Sequence, residues 1–399
     1  MDANLERFLR YVQVDTQADE NSFTVPSAAK ELNLTRLLKS ELEEMGISCY
    51  INEFGILYGK LPGVEGLDPI GFNAHVDTAL ELPGKDVKPR IVEDYDGGVI
   101  ALNDSYSMSP KEFPTLEDHI GDTLVTTSGD TLLGADDKAG IAIIMALLSY
   151  YSSHPEIPHH PICFCFTPDE EIGRGPDHFD ALEFGAKYAY TIDGGYFREI
   201  ACETFNAAHA DIVIHGKSIH PGEAKGKLIN AQTVAFAFDA SLPEGMRPEF
   251  TEKYEGFFHL VHSVGSVDQA SLHYILRNHD LAMLEVQKEV IRNVKTKMER
   301  DFPGCRIEVD IQDDYRNMKV ILDEHPEAIE TAKKAFAALG YEPVFEPIRG
   351  GTDGATFSFK GCPTPNLGTG SYNHHGRFEY LSLREFHAMI EIVKEIVKA

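Results

Sequence analysis

Histidine and carboxylate residues fall together in five short segments: His75-Val76-Asp77, Gly134-Ala135-Asp136-Asp137-Lys138, Pro168-Asp169-Glu170-Glu171, Thr191-Ile192-Asp193-Gly194-Gly195 and His374-His375-Gly376. Imidazole nitrogens and carboxylate oxygens are the donors that borderline divalent cations accept. In His75-Val76-Asp77 an extended backbone points residues i and i+2 the same way, so the histidine can ligate while the carboxylate orients a ligand ring. Asp136 and Asp137 stand just before a helix-like run. A carboxylate there can bridge two cations, and aspartate is equally favoured there for plain helix capping. Glu170 and Glu171 are adjacent and diverge at a strand end. One can reach a metal while the other faces the substrate side as a proton acceptor, which works best with a pKa near the working pH. Asp193 is followed by two glycines, which permit a tight turn. Each segment alone has an ordinary explanation: a solvated histidine, a helix cap, an acidic loop. Their joint occurrence supplies the ligands for two metal ions and leaves one carboxylate as a base, and that combination points to hydrolysis.

Four of the five segments directly follow an apolar run, where a strand would bring side chains to the rim of a sheet. The patterning predicts a helix over 32–45, strands over 69–74, 162–166 and 188–192, and a buried helix over 139–151. Such alternation fits an α/β sheet covered on both faces. The pattern changes near residue 206. Residues 210–216 alternate like a half-exposed strand, 228–238 and 282–298 read as helices, and 306–311 as a strand. That order fits a small α+β unit. After about residue 317 the first style returns, with a helix over 326–339, the turn-rich Arg349-Gly350-Gly351-Thr352-Asp353-Gly354, and a helix over 383–397. The expected organisation is one catalytic α/β domain, 1–205 and 317–399, interrupted by a smaller inserted domain at 206–316.

At 399 residues and 43% hydrophobic composition, the chain can bury one large core or two moderate ones. Its 36 basic and 64 acidic side chains give a net charge of −28. Such a surface repels phosphate backbones and anionic membranes, which argues against nucleic-acid and membrane partners and favours a substrate with a free amino group. The six cysteines form no CxxC pair, and the first residues carry no basic-apolar leader. No run approaches the ~18 apolar residues of a membrane span. These features set the expectation of a cytoplasmic protein.

The stretches His75-Val76-Asp77-Thr78, Leu132-Leu133-Gly134-Ala135-Asp136-Asp137-Lys138-Ala139-Gly140, Phe166-Thr167-Pro168-Asp169-Glu170-Glu171, His220-Pro221-Gly222 and Arg349-Gly350-Gly351-Thr352-Asp353-Gly354 resemble the co-catalytic zinc metallopeptidases of the aminoacylase/carboxypeptidase type. The similarity runs over nearly the whole chain and includes Tyr254-Glu255-Gly256-Phe257. The resemblance implies a zinc-peptidase-like catalytic domain with a mixed central sheet flanked by helices, plus an inserted ferredoxin-like α+β domain of the lid or dimerisation type. It implies that His75 and Asp193 hold one ion, Glu171 and His375 the other, and that Asp136 bridges them. His375 is taken over His374 because it directly precedes Gly376. Asp77 would orient His75, and Glu170 would be the general base that takes a proton from water. The resemblance also places His220 at the tetrahedral oxyanion and makes Asp136-Asp137 a candidate cis peptide.

Asn230, Arg277 and Arg349 are candidates for the substrate's C-terminal carboxylate, by resemblance and because arginine grips carboxylates bidentately. An ordinary surface ion pair explains the two arginines equally well. The implied activity is release of the N-terminal residue from tripeptides, with the carboxylate anchor acting as a ruler. Two divalent ions per subunit are expected, zinc by resemblance, and the same ligands accept cobalt and manganese. The alternatives are a dipeptide, an N-acyl amino acid or a C-terminal residue as substrate, or a non-catalytic metal- or peptide-binding role. A homodimer is left open.

Overall fold

Runs dominated by aromatic, β-branched and small residues form the strands Ile70–His75, Ile162–Thr167 and Tyr188–Gly194, with the ionisable His75 and Asp193 only at or next to their ends. Every residue of the first two is buried, as expected for parallel strands covered on both faces. The structure, a computed structural model, describes residues 2–399. It divides into one unit of Met1–Cys202, Met318–Glu346 and Thr352–Ala399, and a second of Glu203–Asn317 with Pro347–Gly351.

In the first unit seven strands lie in the order Ser48–Ile51, Leu57–Leu61, Ile162–Thr167, Ile70–His75, Tyr188–Gly194, Asn366–Gly368, Ile200–Ala201. The middle four run parallel and the outer pairings are antiparallel, so the sheet is mixed. Register sets His75 opposite Thr167 and Asn73 opposite Thr191. Three strands therefore end at one rim, and the residues that follow or close them are His75, Glu170, Glu171 and Asp193. The helix Ala135–Ser153 lies on the strands Ile70–His75 and Tyr188–Gly194, beside the helices Ala3–Val12 and Leu383–Ile396. A Cβ at Gly140 would come within 1.8 Å of the Ile192 carbonyl oxygen, so glycine lets this helix approach the strand. Cys163, Cys165, Phe179, Phe184 and Phe357 form a separate apolar cluster from that of Phe72, Phe164 and Phe166. Since 163 and 165 alternate with 164 and 166, the two clusters cover opposite faces of the sheet.

A smaller sheet joins Ser371–Tyr372, Tyr380–Ser382, Leu124–Thr126 and Arg90–Val92. The first two pair as an antiparallel hairpin, and His374-His375-Gly376 forms part of its loop.

The second unit places Phe257–Gly265, Gln269–Asn278, Asn206–His215 and Arg306–Tyr315 in one antiparallel sheet, in that order. With the helices Ala231–Asp239 and Leu281–Asp301 this is the β-α-β-β-α-β arrangement of a ferredoxin-like domain. Its core, built on Ile212, Phe238, Leu272, Tyr274 and Ile291, is its own. The segment Pro347–Gly351, which the sequence boundaries put with the catalytic portion, belongs here. Ile348 N–H donates to the Glu203 carbonyl at 2.8 Å, and the Arg349 guanidinium donates to the carbonyls of Lys253 and Glu255 at 2.7 and 2.9 Å. Among the described residues, no helix is long and apolar enough to cross a membrane.

Candidate metal centre

The strand rim, the start of the helix Ala135–Ser153 and the loop of the C-terminal hairpin converge on one carboxylate, that of Asp136. Its Oδ1 lies 2.9 Å from Nε2 of His75, and its Oδ2 lies 3.3 Å from Nε2 of His375. Asp193 Oδ1 stands 3.4 Å from the same His75 nitrogen, and Glu171 Oε2 stands 3.0 Å from the same His375 nitrogen. Donor atoms of His75, Asp136 and Glu171 all lie within 4.8 Å of one another, as do those of His75, Asp137 and Asp193. His374 is more remote, with Nδ1 3.7 Å from Asp136 Oδ2 and Nε2 hydrogen-bonded to the Ser371 hydroxyl at 2.8 Å. His375 has φ +58°, in the left-handed region that is uncommon for non-glycine residues. The Asp136-Asp137 peptide is cis.

Several buried carboxylates fix the backbone that presents these donors. Asp77 is fully buried and lies 3.4 Å from His75 Nδ1; its oxygens accept the N–H groups of Glu170 at 3.1 Å and Glu171 at 3.0 Å. One side chain therefore aligns both the His75 ring and the Glu170-Glu171 turn. Asp137 accepts the N–H of His75 at 3.2 Å and of Gly140 at 3.1 Å. Glu379 accepts three N–H groups from the segment leading to Asp136. Sequence reasoning did not find the roles of Asp137 and Glu379. Both bind backbone, and no side-chain pattern marks that.

The electrostatics of this cluster call for cations. Burial, then the charge of Asp193, pushes the Asp137 carboxyl well above the usual carboxylate range. Burial raises Glu170 likewise, with the His75 imidazole opposing and Asp193, Asp353 and Glu171 adding to it. Burial and the neighbouring Asp136 charge push Glu171 up to about 7. Asp136 behaves oppositely: burial is outweighed by hydrogen bonds from His375 and His75, which hold it well below its ordinary value. Glu171 Oε1 is buried without a hydrogen-bond partner, as is Asp353 Oδ1. A buried acceptor with no donor, set among carboxylates that repel one another, fits divalent cations held by mixed nitrogen and oxygen donors.

The remaining candidates lie in the second unit. His220 Nδ1 accepts the N–H of Gly222 at 3.2 Å. Asn230 caps the helix Ala231–Asp239 by accepting the N–H of Gln232 at 3.0 Å. Arg277 donates to the carbonyls of Ala208 and Leu276, lies 3.5 Å from Asp314 and stands over the ring of Tyr315. Arg349, besides its two carbonyl bonds, donates to the Thr251 hydroxyl at 2.9 Å and stands over the rings of Phe205 and Phe257.

Residues 131–399 match the profile of Peptidase family M20/M25/M40. A protein named Peptidase T from Geobacillus sp. (strain WCH70) is 47% identical over 399 residues, covering 99% of this chain and 97% of its own length. Peptidase T of Desulfitobacterium hafniense (strain DSM 10664 / DCB-2) is 45% identical over 402 residues, covering 100% of this chain and 98% of its own. Among solved structures, aminopeptidase PepT of Bacillus cereus ATCC 10987 superposes with a TM-score of 0.78 at 24% identity, over 99% of this chain and 97% of that one. A tripeptidase of Staphylococcus aureus Mu50 gives a TM-score of 0.79 at 21% identity, with the same coverage of 99% and 97%. Both structures share the fold.

Proposed function

The chain belongs to peptidase family M20/M25/M40, and from that premise we propose that it is an aminopeptidase releasing the N-terminal residue of tripeptides with the help of two divalent ions, zinc in the first instance. The observation that carries the reading is the two-sided contact of Asp136, one oxygen towards His75 and the other towards His375. His75 and Asp193 would hold one ion, Glu171 and His375 the other, and Asp136 would serve both. When bound, such ions polarise a scissile carbonyl and acidify water. The protein's own part falls to Glu170. Its backbone is pinned by Asp77, and its raised carboxyl suits a group that accepts a proton and returns it to the leaving amine. His220 is proposed to stabilise the oxyanion, and Asn230, Arg277 and Arg349 to bind the substrate's terminal carboxylate.

The tripeptide specificity rests on the relatives named Peptidase T, 45–47% identical to this chain. The free thiols of Cys49, Cys163, Cys165, Cys305 and Cys362 support a reducing, cytoplasmic setting. The test is hydrolysis of a tripeptide beside its N-acetylated and C-amidated forms, with metal analysis on the same preparation. An aminopeptidase rejects the acetylated peptide, and the carboxylate anchor makes the amidated one a poorer substrate. Preferred cleavage of the acetylated form would overturn the reading in favour of an N-acyl amino acid hydrolase.

A further inference from the structure

Glu379 lies four residues beyond His375 and is 1% exposed. Its Oε2 accepts the N–H groups of Leu133 and Gly134, both at 2.8 Å, and its Oε1 accepts the N–H of Asp136 at 3.0 Å. These donors belong to the turn that enters the helix Ala135–Ser153, where the first N–H groups have no partner within the helix itself. Gly134 turns the chain at φ +76°, so the segment bends sharply around the carboxylate. The other end of the Glu379 side chain is anchored beside Tyr380–Ser382, the second strand of the hairpin that carries His375. One buried carboxylate thus ties the loop bearing Asp136 to the hairpin bearing His375, two groups whose side chains lie 3.3 Å apart.

We infer that Glu379 is a positioning residue that pre-sets Asp136 against His375 and thereby governs how tightly the centre holds its ions. Its hydrogen bonds go to backbone N–H groups, and its action passes through the backbone of Asp136. The inference rests on the reading of Asp136 and His375 as ligands. Partners that orient metal ligands typically change metal affinity by about 10- to 100-fold when removed.

The test uses metal-free full-length protein titrated with zinc against a chromophoric chelator, for the parent, Glu379→Gln and Glu379→Asp. The parent should take up two equivalents. The glutamine variant lacks the second anionic oxygen, and the aspartate variant falls one methylene short. Each should bind zinc at least about tenfold more weakly. The metal-free melting temperature reports folding separately, and turnover should return towards the parent's at saturating zinc. Zinc affinity equal to the parent's in folded variants overturns the proposal. Should both variants fail to fold, amide hydrogen exchange of the metal-free parent decides it. Protection of the Leu133, Gly134 and Asp136 amides before metal is added supports pre-setting, and protection that arises only with metal overturns it. A parent that binds no zinc overturns the metal reading itself, a result distinct from any seen in the variants alone.

Discussion

Glu170 and Glu171 are chemically identical neighbours, and what each reaches separates their roles. Glu171 Oε2 lies 3.0 Å from His375, and its buried Oε1 has no donor. The N–H of Glu170 is held by Asp77 as firmly as that of Glu171, which leaves Glu170 placed as the proposed proton acceptor. Glu170→Ala should therefore keep its full metal content while turnover falls by about 10²–10⁴-fold, the usual worth of a positioned acid–base group. Metal analysis and single-turnover kinetics check this, and retained hydrolysis would remove Glu170 from the mechanism. The two candidate arginines of the second unit, Arg277 and Arg349, can be tested in the same way. Arg349, proposed with Arg277 for the substrate carboxylate, also has three acceptors within its own unit, so Arg349→Ala should in addition lower stability towards urea by about 1–2 kcal/mol. Arg277 should act on substrate: Arg277→Ala should raise KM for a tripeptide about tenfold and leave that for its C-amide nearly unchanged, about 1.4 kcal/mol of carboxylate recognition. Equal loss on both substrates would assign Arg277 to structure.

At the scale of elements, the start of the helix Glu31–Glu44 holds the turn that precedes the base. Glu31 is fully buried. Its Oε1 accepts the Ser27 hydroxyl at 3.1 Å and the Ala28 N–H at 2.8 Å, and its Oε2 accepts the Asp169 N–H at 3.2 Å. Asp169 in turn accepts the Ser27 N–H at 2.9 Å and sits at φ +62°. Burial, then the charges of Asp77 and Asp169, push the Glu31 carboxyl up to about 9. The unfolded value is about 4.3, so the folded state binds this proton more tightly. Its contribution to stability is complete below pH ~4 and is lost as the pH rises towards the folded value. Glu31→Gln cannot titrate, so the fall in urea stability between pH 5 and 8 should shrink by at least about 1.4 kcal/mol, the equivalent of one pKa unit. An unchanged slope would show that Glu31 is ionised in the fold.

The same scale explains what could be read from the sequence. The rim positions were legible because apolar runs such as Ile162-Cys163-Phe164-Cys165-Phe166 end where the chemistry begins. The strand Phe257–Gly265 was not, since most of its residues are exposed and no alternation marks it. The helix Asp353–Phe359 hid behind Arg349-Gly350-Gly351-Thr352, which reads as turn. The predicted helix over 228–238 begins at Ala231 because Ile229 pairs with Lys217 and Asn230 is spent as the cap. Glu379 was invisible for a different reason: its partners are backbone amides brought near by the hairpin, and neither leaves a side-chain signature.

Over the whole molecule, each unit has a main hydrophobic core of its own, and the proposed metal ligands belong to only one of the units. The first unit gathers three segments of sequence, the second almost a single one, and the core around Ile212, Phe238 and Ile291 shares no residue with that around Phe72 and Leu147. Ions held at the proposed ligands His75, Asp136, Glu171, Asp193 and His375 would stabilise the state that binds them, by about 4 kcal/mol at a thousandfold excess over Kd. Their removal also leaves buried carboxylates facing one another, where salt screens little. Chelation should therefore speed amide exchange at the ends of the strands Ile70–His75, Ile162–Thr167 and Tyr188–Gly194 and in the hairpin around His375. Exchange in Asn206–His215 and Gln269–Asn278, which pair with each other along their whole length, should stay as it was. Mass-spectrometric exchange with and without chelator resolves these peptides. An equal rise in both sets would show that the two cores unfold as one cooperative body, and the metal centre would then be holding the whole chain together.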